Sequence, residues 1–106
     1  METIILLLLS LINWNGCYFP AFDYAVCNNP MSCRHEEGHR LDFELGRPSQ
    51  TDEFKNTVNK ELPMLIEDTS CIFETENCLY SEAYARLWAV MDGREMLDEF
   101  KVFYGL

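Results

Sequence analysis

The stretch His35-Glu36-Glu37-Gly38-His39-Arg40-Leu41-Asp42-Phe43-Glu44-Leu45 decides how this chain is read. From Arg40 onward it alternates strictly. Leu41, Phe43 and Leu45 fall on one side and Arg40, Asp42 and Glu44 on the other, the period-two pattern of a half-buried strand. Before Arg40 the residues are polar and show no apolar period, and Asn28, Asn29 and Pro30 upstream mark a turn. We therefore read a strand over Arg40 to Leu45, with an exposed polar turn leading into it.

Working toward the C-terminus, Gly46, Pro48 and Ser49 end that strand, and Ser49 followed by Asp52 suggests a helix N-cap with an acidic first turn. Phe54, Val58 and Leu62 at i, i+4 and i+8 give the helix one apolar stripe, and Pro63 stops it. The short apolar runs Met64 to Ile66 and Cys71 to Phe73 flank Asp68, Thr69 and Ser70, which suggests a β-hairpin. From about Leu79 the pattern is helical, with Tyr80, Tyr84, Leu87, Trp88 and Met91 on one face. Glu82 and Arg86 stand at i, i+4 spacing as a surface pair. We read the aromatic stripe as core rather than as an exposed anchor, because so small a domain needs those side chains inside. Gly93 breaks the helix, and Met96, Leu97, Phe100 and Phe103 form a second amphipathic stretch. The expected fold class is α+β: a small single domain with two or three helices on a short antiparallel sheet, stabilised by disulfides.

Toward the N-terminus, Ile4 to Ile12 is an apolar run broken only by Ser10. Nine positions fit the about 7 to 15 of a secretory leader and fall short of the about 20 that a membrane span needs. The boundaries expected are a signal peptide over residues 1–16 and one domain over residues 17–106. Glu2 in place of a basic n-region, and Trp14 two places before Gly16, depart from the usual cleavage pattern. Gly16-Cys17 also has a faint likeness to a lipoprotein cleavage site.

With 106 residues the chain has room for one core, and 48% hydrophobic and 13% aromatic residues describe a folding chain rather than a disordered acidic one. A formal net charge of -10 without clustered Lys or Arg excludes the electrostatic footprint of a nucleic-acid binder and disfavours anionic membranes. Five cysteines stand at 17, 27, 33, 71 and 78. Behind a leader the compartment is oxidising, so Cys27, Cys33, Cys71 and Cys78 are the disulfide candidates and Cys17 is left over. Cross-pairing the first two with the last two would close loops of roughly 40 to 50 residues, each worth about 4 kcal/mol, which makes that pairing the favoured one.

One motif carries chemistry. His35-Glu36-Glu37-Gly38-His39 matches H-E-x-x-H, an arrangement that resembles zinc metalloproteases. On a helix the two histidines share a face and can hold zinc, with Glu36 as general base. The resemblance covers five residues. The extended metzincin pattern would need Gly where Asp42 stands and His where Leu45 stands, and no distant Glu is singled out as a third ligand. The neighbouring strand pattern also leaves the motif outside a helix.

The first functional expectation is thus a secreted or extracellular protein-binding module (a ligand, effector or inhibitor) without catalysis or cofactor, partnered by another protein and without a stable membrane span. The second is a zinc-dependent hydrolase, or a fragment of one, using Glu36 with His35 and His39. The third is a cytosolic domain with a structural zinc site built from Cys33, His35 and His39 with Cys27, Cys71 or Cys78. Neither a Ca²⁺-binding loop nor a G-x-S-x-G elbow is present.

Overall fold

A computed structural model describes residues 16–19, 24–67, 69, 71, 75–92 and 95–106. Strand β1, Gly16–Phe19, pairs antiparallel with β2, Tyr24–Cys27, in the register Gly16↔Cys27 to Phe19↔Tyr24. Helix α1, Pro30–Glu44, follows, then a 3-10 turn, Pro48–Gln50, and α2, Asp52–Glu61. The chain continues through the single turn α3, Met64–Glu67, the central helix α4, Glu76–Met91, and a 3-10 helix, Asp98–Tyr104.

Local chemistry sets the ends of α1. Asn29 is the N-cap, its side-chain oxygen accepting the Ser32 N–H at 2.8 Å, and Pro30 occupies the first turn, where no intrahelical partner for its nitrogen is needed. At the other end Gly46 N–H donates to the Phe43 carbonyl and Arg47 N–H to that of Asp42, a Schellman closure made possible by Gly46 at φ +81°. Asp42, 1% exposed, then pins the following turn. Its oxygens accept from the Ser49 backbone at 3.0 Å and the Ser49 hydroxyl at 2.7 Å, and Arg47 Nε lies 3.3 Å away.

The core lies between α2, α4 and the C-terminal segment. Phe54 and Val58 meet Tyr80, Tyr84 and Leu87, and Met96, Phe100 and Tyr104 close the cluster. Tyr84 stacks on Tyr104 at 4.1 Å between ring centroids, and each phenol is satisfied. Tyr84 Oη donates to the Phe103 carbonyl at 2.6 Å and Tyr104 Oη to that of Tyr84 at 2.8 Å. Burial pushes both phenols far above the usual tyrosine range, so they stay neutral donors. Helix α1 packs on α4 through Gly38. A Cβ there would stand 2.7 Å from Ala85 Cα and 3.1 Å from Trp88 Cβ.

The expected α+β architecture is overturned. Among the described residues the body is helical and no antiparallel sheet underlies the helices; the two four-residue strands form a ribbon beside α1. The strand expected over Arg40 to Leu45 is the last turn of α1 and its cap. Of the apolar half of the alternation, Leu41 packs against the core but Phe43 and Leu45 are about half exposed, whereas Asp42 from the polar half is buried. Alternation over six residues therefore did not report burial. Of the expected hairpin, Met64 to Ile66 lies in the helical turn α3, and Ile72 and Phe73 lie outside the described residues. So do the leader through Asn15 and the break at Gly93.

Other expectations hold with shifted ends. Helix α2 starts from Thr51, whose hydroxyl accepts the Phe54 N–H at 3.2 Å, rather than from Ser49, and it stops before Pro63 as expected. The α4 stripe faces inward, with Tyr80, Tyr84 and Leu87 buried and Trp88 and Met91 half-buried. No helix of the described residues is long and apolar enough to cross a membrane.

The disulfides are local. Cys27 pairs with Cys33 across a Cα separation of 5.0 Å and Cys71 with Cys78 across 6.1 Å, replacing the expected cross-pairing. The short loops bring roughly 2 kcal/mol each by the loop-entropy relation, less than long closures would. Geometry overrides that preference because Cys33 and Cys78 lie in or beside the first turns of α1 and α4, each next to the segment leading into its own helix. Two disulfides are compatible with an extracellular location.

Non-reducing peptide mapping is expected to find Cys27 joined to Cys33 and Cys71 to Cys78, with no cross-linked fragments. Gly38→Ala should lower the unfolding free energy by about 1 to 3 kcal/mol through overpacking. Val102→Ala, at a side chain 75% exposed, should stay within about 0.5 kcal/mol in the same denaturant titration.

Candidate metal centre

The H-E-x-x-H residues lie in the middle of α1, contrary to the exposed turn expected. The buried face of this helix consists of Ser32, Glu36, Gly38 and Asp42, so it carries polar and small residues where an amphipathic pattern would put apolar ones. Helical spacing brings the His35 and His39 rings to 4.8 Å, one turn apart on one face.

Opposite them stands Glu82 of α4. His35 Nε2 lies 2.8 Å from Glu82 Oε2, and His39 Nε2 lies 2.9 Å from Oε1, so one carboxylate spans both imidazoles. The surface pair expected between Glu82 and Arg86 is replaced by this arrangement. Burial alone would lift the Glu82 carboxyl, but hydrogen bonds from both histidines and their charges hold it down at about 2. Burial would lower His39, yet its hydrogen bond to Glu82 and the carboxylates nearby raise it.

Glu36 is 3% exposed, and its Oε2 has no hydrogen-bond partner among the described residues. Burial pushes its carboxyl up to about 7; the His39 and His35 charges pull against that rise and Glu82 adds to it. All three ligand candidates therefore act electrostatically on this acid. On the other side of His39, the Ser81 hydroxyl lies 3.4 Å from Nδ1.

Among the described residues, His35, His39 and Glu82 form the one group of three suited to a metal ion, with ligand atoms all within 4.8 Å of one another. Tetrahedral zinc with nitrogen and oxygen ligands at about 2.0 to 2.1 Å separates its donors by roughly 3.3 Å. The His–Glu pairs at 2.8 and 2.9 Å would open by a few tenths of an ångström, and the widest separation of the set, up to 4.8 Å, would close toward the same value. Two imidazoles and one carboxylate, each partly exposed, make a three-ligand nitrogen and oxygen donor set of a kind that zinc accepts. The cysteines of the structural-zinc expectation, Cys27, Cys33, Cys71 and Cys78, are paired in disulfides and in that state offer no thiolate.

The ligand candidate that the sequence did not single out is Glu82, which spacing had paired with Arg86. A signal for it existed: it is an acid between Tyr80 and Ala83, Tyr84 and Ala85, all buried, where a surface ion pair is out of place. The motif's helix was hidden for a related reason, since the buried side of α1 has no apolar stripe to detect.

The chain matches no known family model, and its comparisons with curated proteins and with solved structures give no significant match. The assignment therefore rests on the geometry of α1 and α4.

After treatment with EDTA and removal of the chelator, the oxidised protein is expected to take up zinc in a one-to-one complex measurable by isothermal titration calorimetry. Glu82→Ala and His39→Ala should each weaken it by more than about 100-fold, beyond the roughly 10- to 100-fold that loss of an outer-shell partner costs.

Proposed function

We propose that this chain is a zinc-dependent hydrolase domain, with His35, His39 and Glu82 holding the ion and Glu36 serving as general base. One observation carries this reading: a carboxylate from a separate helix, 43 residues beyond His39, lies within hydrogen-bond distance of both motif histidines. A fortuitous H-E-x-x-H on a solvated turn would have no reason to meet it.

Bound zinc would supply Lewis acidity, polarising an ester or amide carbonyl and making a water molecule nucleophilic near neutral pH. The chain's own residues supply the rest. His35 and His39, locked one turn apart on α1, and Glu82, held by α4, fix where the electrophile sits. Glu36 stands next to His35 on α1, with one carboxylate oxygen free of protein partners among the described residues. It takes a proton from the attacking water and returns it to the leaving nitrogen or oxygen as the scissile bond breaks. Water is thereby divided between the two products, and Glu36 returns to its starting state.

The apolar segment Ile4 to Ile12 and the two disulfides support a secreted setting for this activity. The non-catalytic protein-binding module keeps the acidic composition as its support, but it does not account for the convergence of Glu82 on the motif.

Zinc-loaded full-length protein, offered fluorogenic casein and small ester and amide substrates, should hydrolyse at least one class. Glu36→Gln should lower that rate by about 10² to 10⁴ while retaining zinc and the circular dichroism of the parent. Unchanged turnover in Glu36→Gln, or inactivity of the zinc-loaded parent toward every class, would overturn the proposal and return the chain to the binding-module reading.

A further inference from the structure

We infer that Ser81 is a positioning residue for His39, accepting the Nδ1 proton so that Nε2 faces the metal as a lone pair; this rests on the zinc reading above. A neutral imidazole carries a single N–H, so a histidine that ligates through one nitrogen must place its proton on the other. In His39 the nitrogen facing Glu82 is Nε2, at 2.9 Å from Oε1. The remaining nitrogen, Nδ1, faces Ser81 Oγ at 3.4 Å.

A serine hydroxyl suits both states of this ring. Without metal, Nε2–H donates to Glu82, and the Ser81 hydroxyl donates to Nδ1 of the neutral ring or accepts from Nδ1–H of the charged one. With metal on Nε2, the proton belongs on Nδ1, and the same hydroxyl turns to accept it. The His39 side chain is only 15% exposed, which limits the water available to do this in place of Ser81. Outer-shell partners of this kind orient the ring and raise the basicity of the ligating nitrogen.

Ser81 immediately precedes Glu82, so one turn of α4 delivers both the third metal ligand and the acceptor that orients the second. That turn is held in register one turn further on, where Ala85 lies against Gly38, the residue before His39. Neither Ser81 nor His39 can slide relative to the other without separating this backbone contact.

The test compares Ser81→Ala and Ser81→Thr with the parent, titrating zinc against a chromophoric chelator. Absorption spectra of the cobalt-substituted proteins and metal-free unfolding midpoints in EDTA complete the set. Ser81→Ala should bind zinc about 10-fold more weakly or worse, with an altered cobalt spectrum, whereas Ser81→Thr, which keeps the hydroxyl, should restore both. Metal-free unfolding midpoints should coincide for the parent and Ser81→Ala. Parental zinc affinity in Ser81→Ala removes Ser81 from the centre while leaving the metal site standing. Ser81 is removed in the same way if the Ala and Thr variants lose affinity alike, or if the loss tracks metal-free stability. Failure of the parent to bind zinc at all removes the metal centre itself.

Discussion

Helix α1 reaches the rest of the molecule where Gly38 lies against Ala85 of α4, too closely for any Cβ at position 38. That contact sets the distance between the two helices, and the candidate centre depends on it. A carboxylate side chain on α4 is short, so Glu82 spans to both His35 and His39 only because the backbones one turn away nearly touch. The alanines beside it, Ala83, Ala85 and Ala89, are all buried and keep α4 thin along its length. The bulky side chains of the same helix, Tyr80, Tyr84 and Leu87, fill the core toward α2 and the C-terminal 3-10 helix.

Such an arrangement accepts a cost in buried polarity. Glu36 and Asp42 are both almost fully enclosed, and a buried acid is unfavourable unless it is paired or hydrogen-bonded. The two acids differ in how far they meet that requirement. Asp42 is satisfied by Ser49 and Arg47 and serves to tie the turn after α1 to the end of the helix. Glu36 keeps an oxygen with no partner among the described residues. An enclosed acid with an unpartnered oxygen, near two histidines and a second acid, is the observation that supports the catalytic role proposed for Glu36.

The disulfides act on the same two helices. Cys33 stands two residues before His35 and Cys78 four before Glu82, so each bridge anchors the chain entering a ligand-bearing helix. Their stabilisation is modest because their loops are short. Their effect is local: each restrains fraying at a helix start where the end turns are otherwise held by single side-chain caps, Asn29 and Thr75.

Much of α2 and α4 was legible in the sequence, because their apolar residues recur at helical spacing and Pro63 stops the former. The two motif histidines and Glu36 were legible too, since i, i+4 spacing is a local property. Composition likewise showed an acidic chain with enough cysteines for two disulfides. The helical state of α1 was not legible, because the face it buries is made of Ser32, Glu36, Gly38 and Asp42, and hydrophobic periodicity sees only apolar burial. The disulfide partners depended on which cysteines stood next to which helix start. Glu82 became a ligand candidate only in three dimensions, because no spacing along the chain connects it to His39. The packing of Gly38 on Ala85 makes that connection, and backbone approach of this kind is a property of two surfaces brought together rather than of either sequence segment alone.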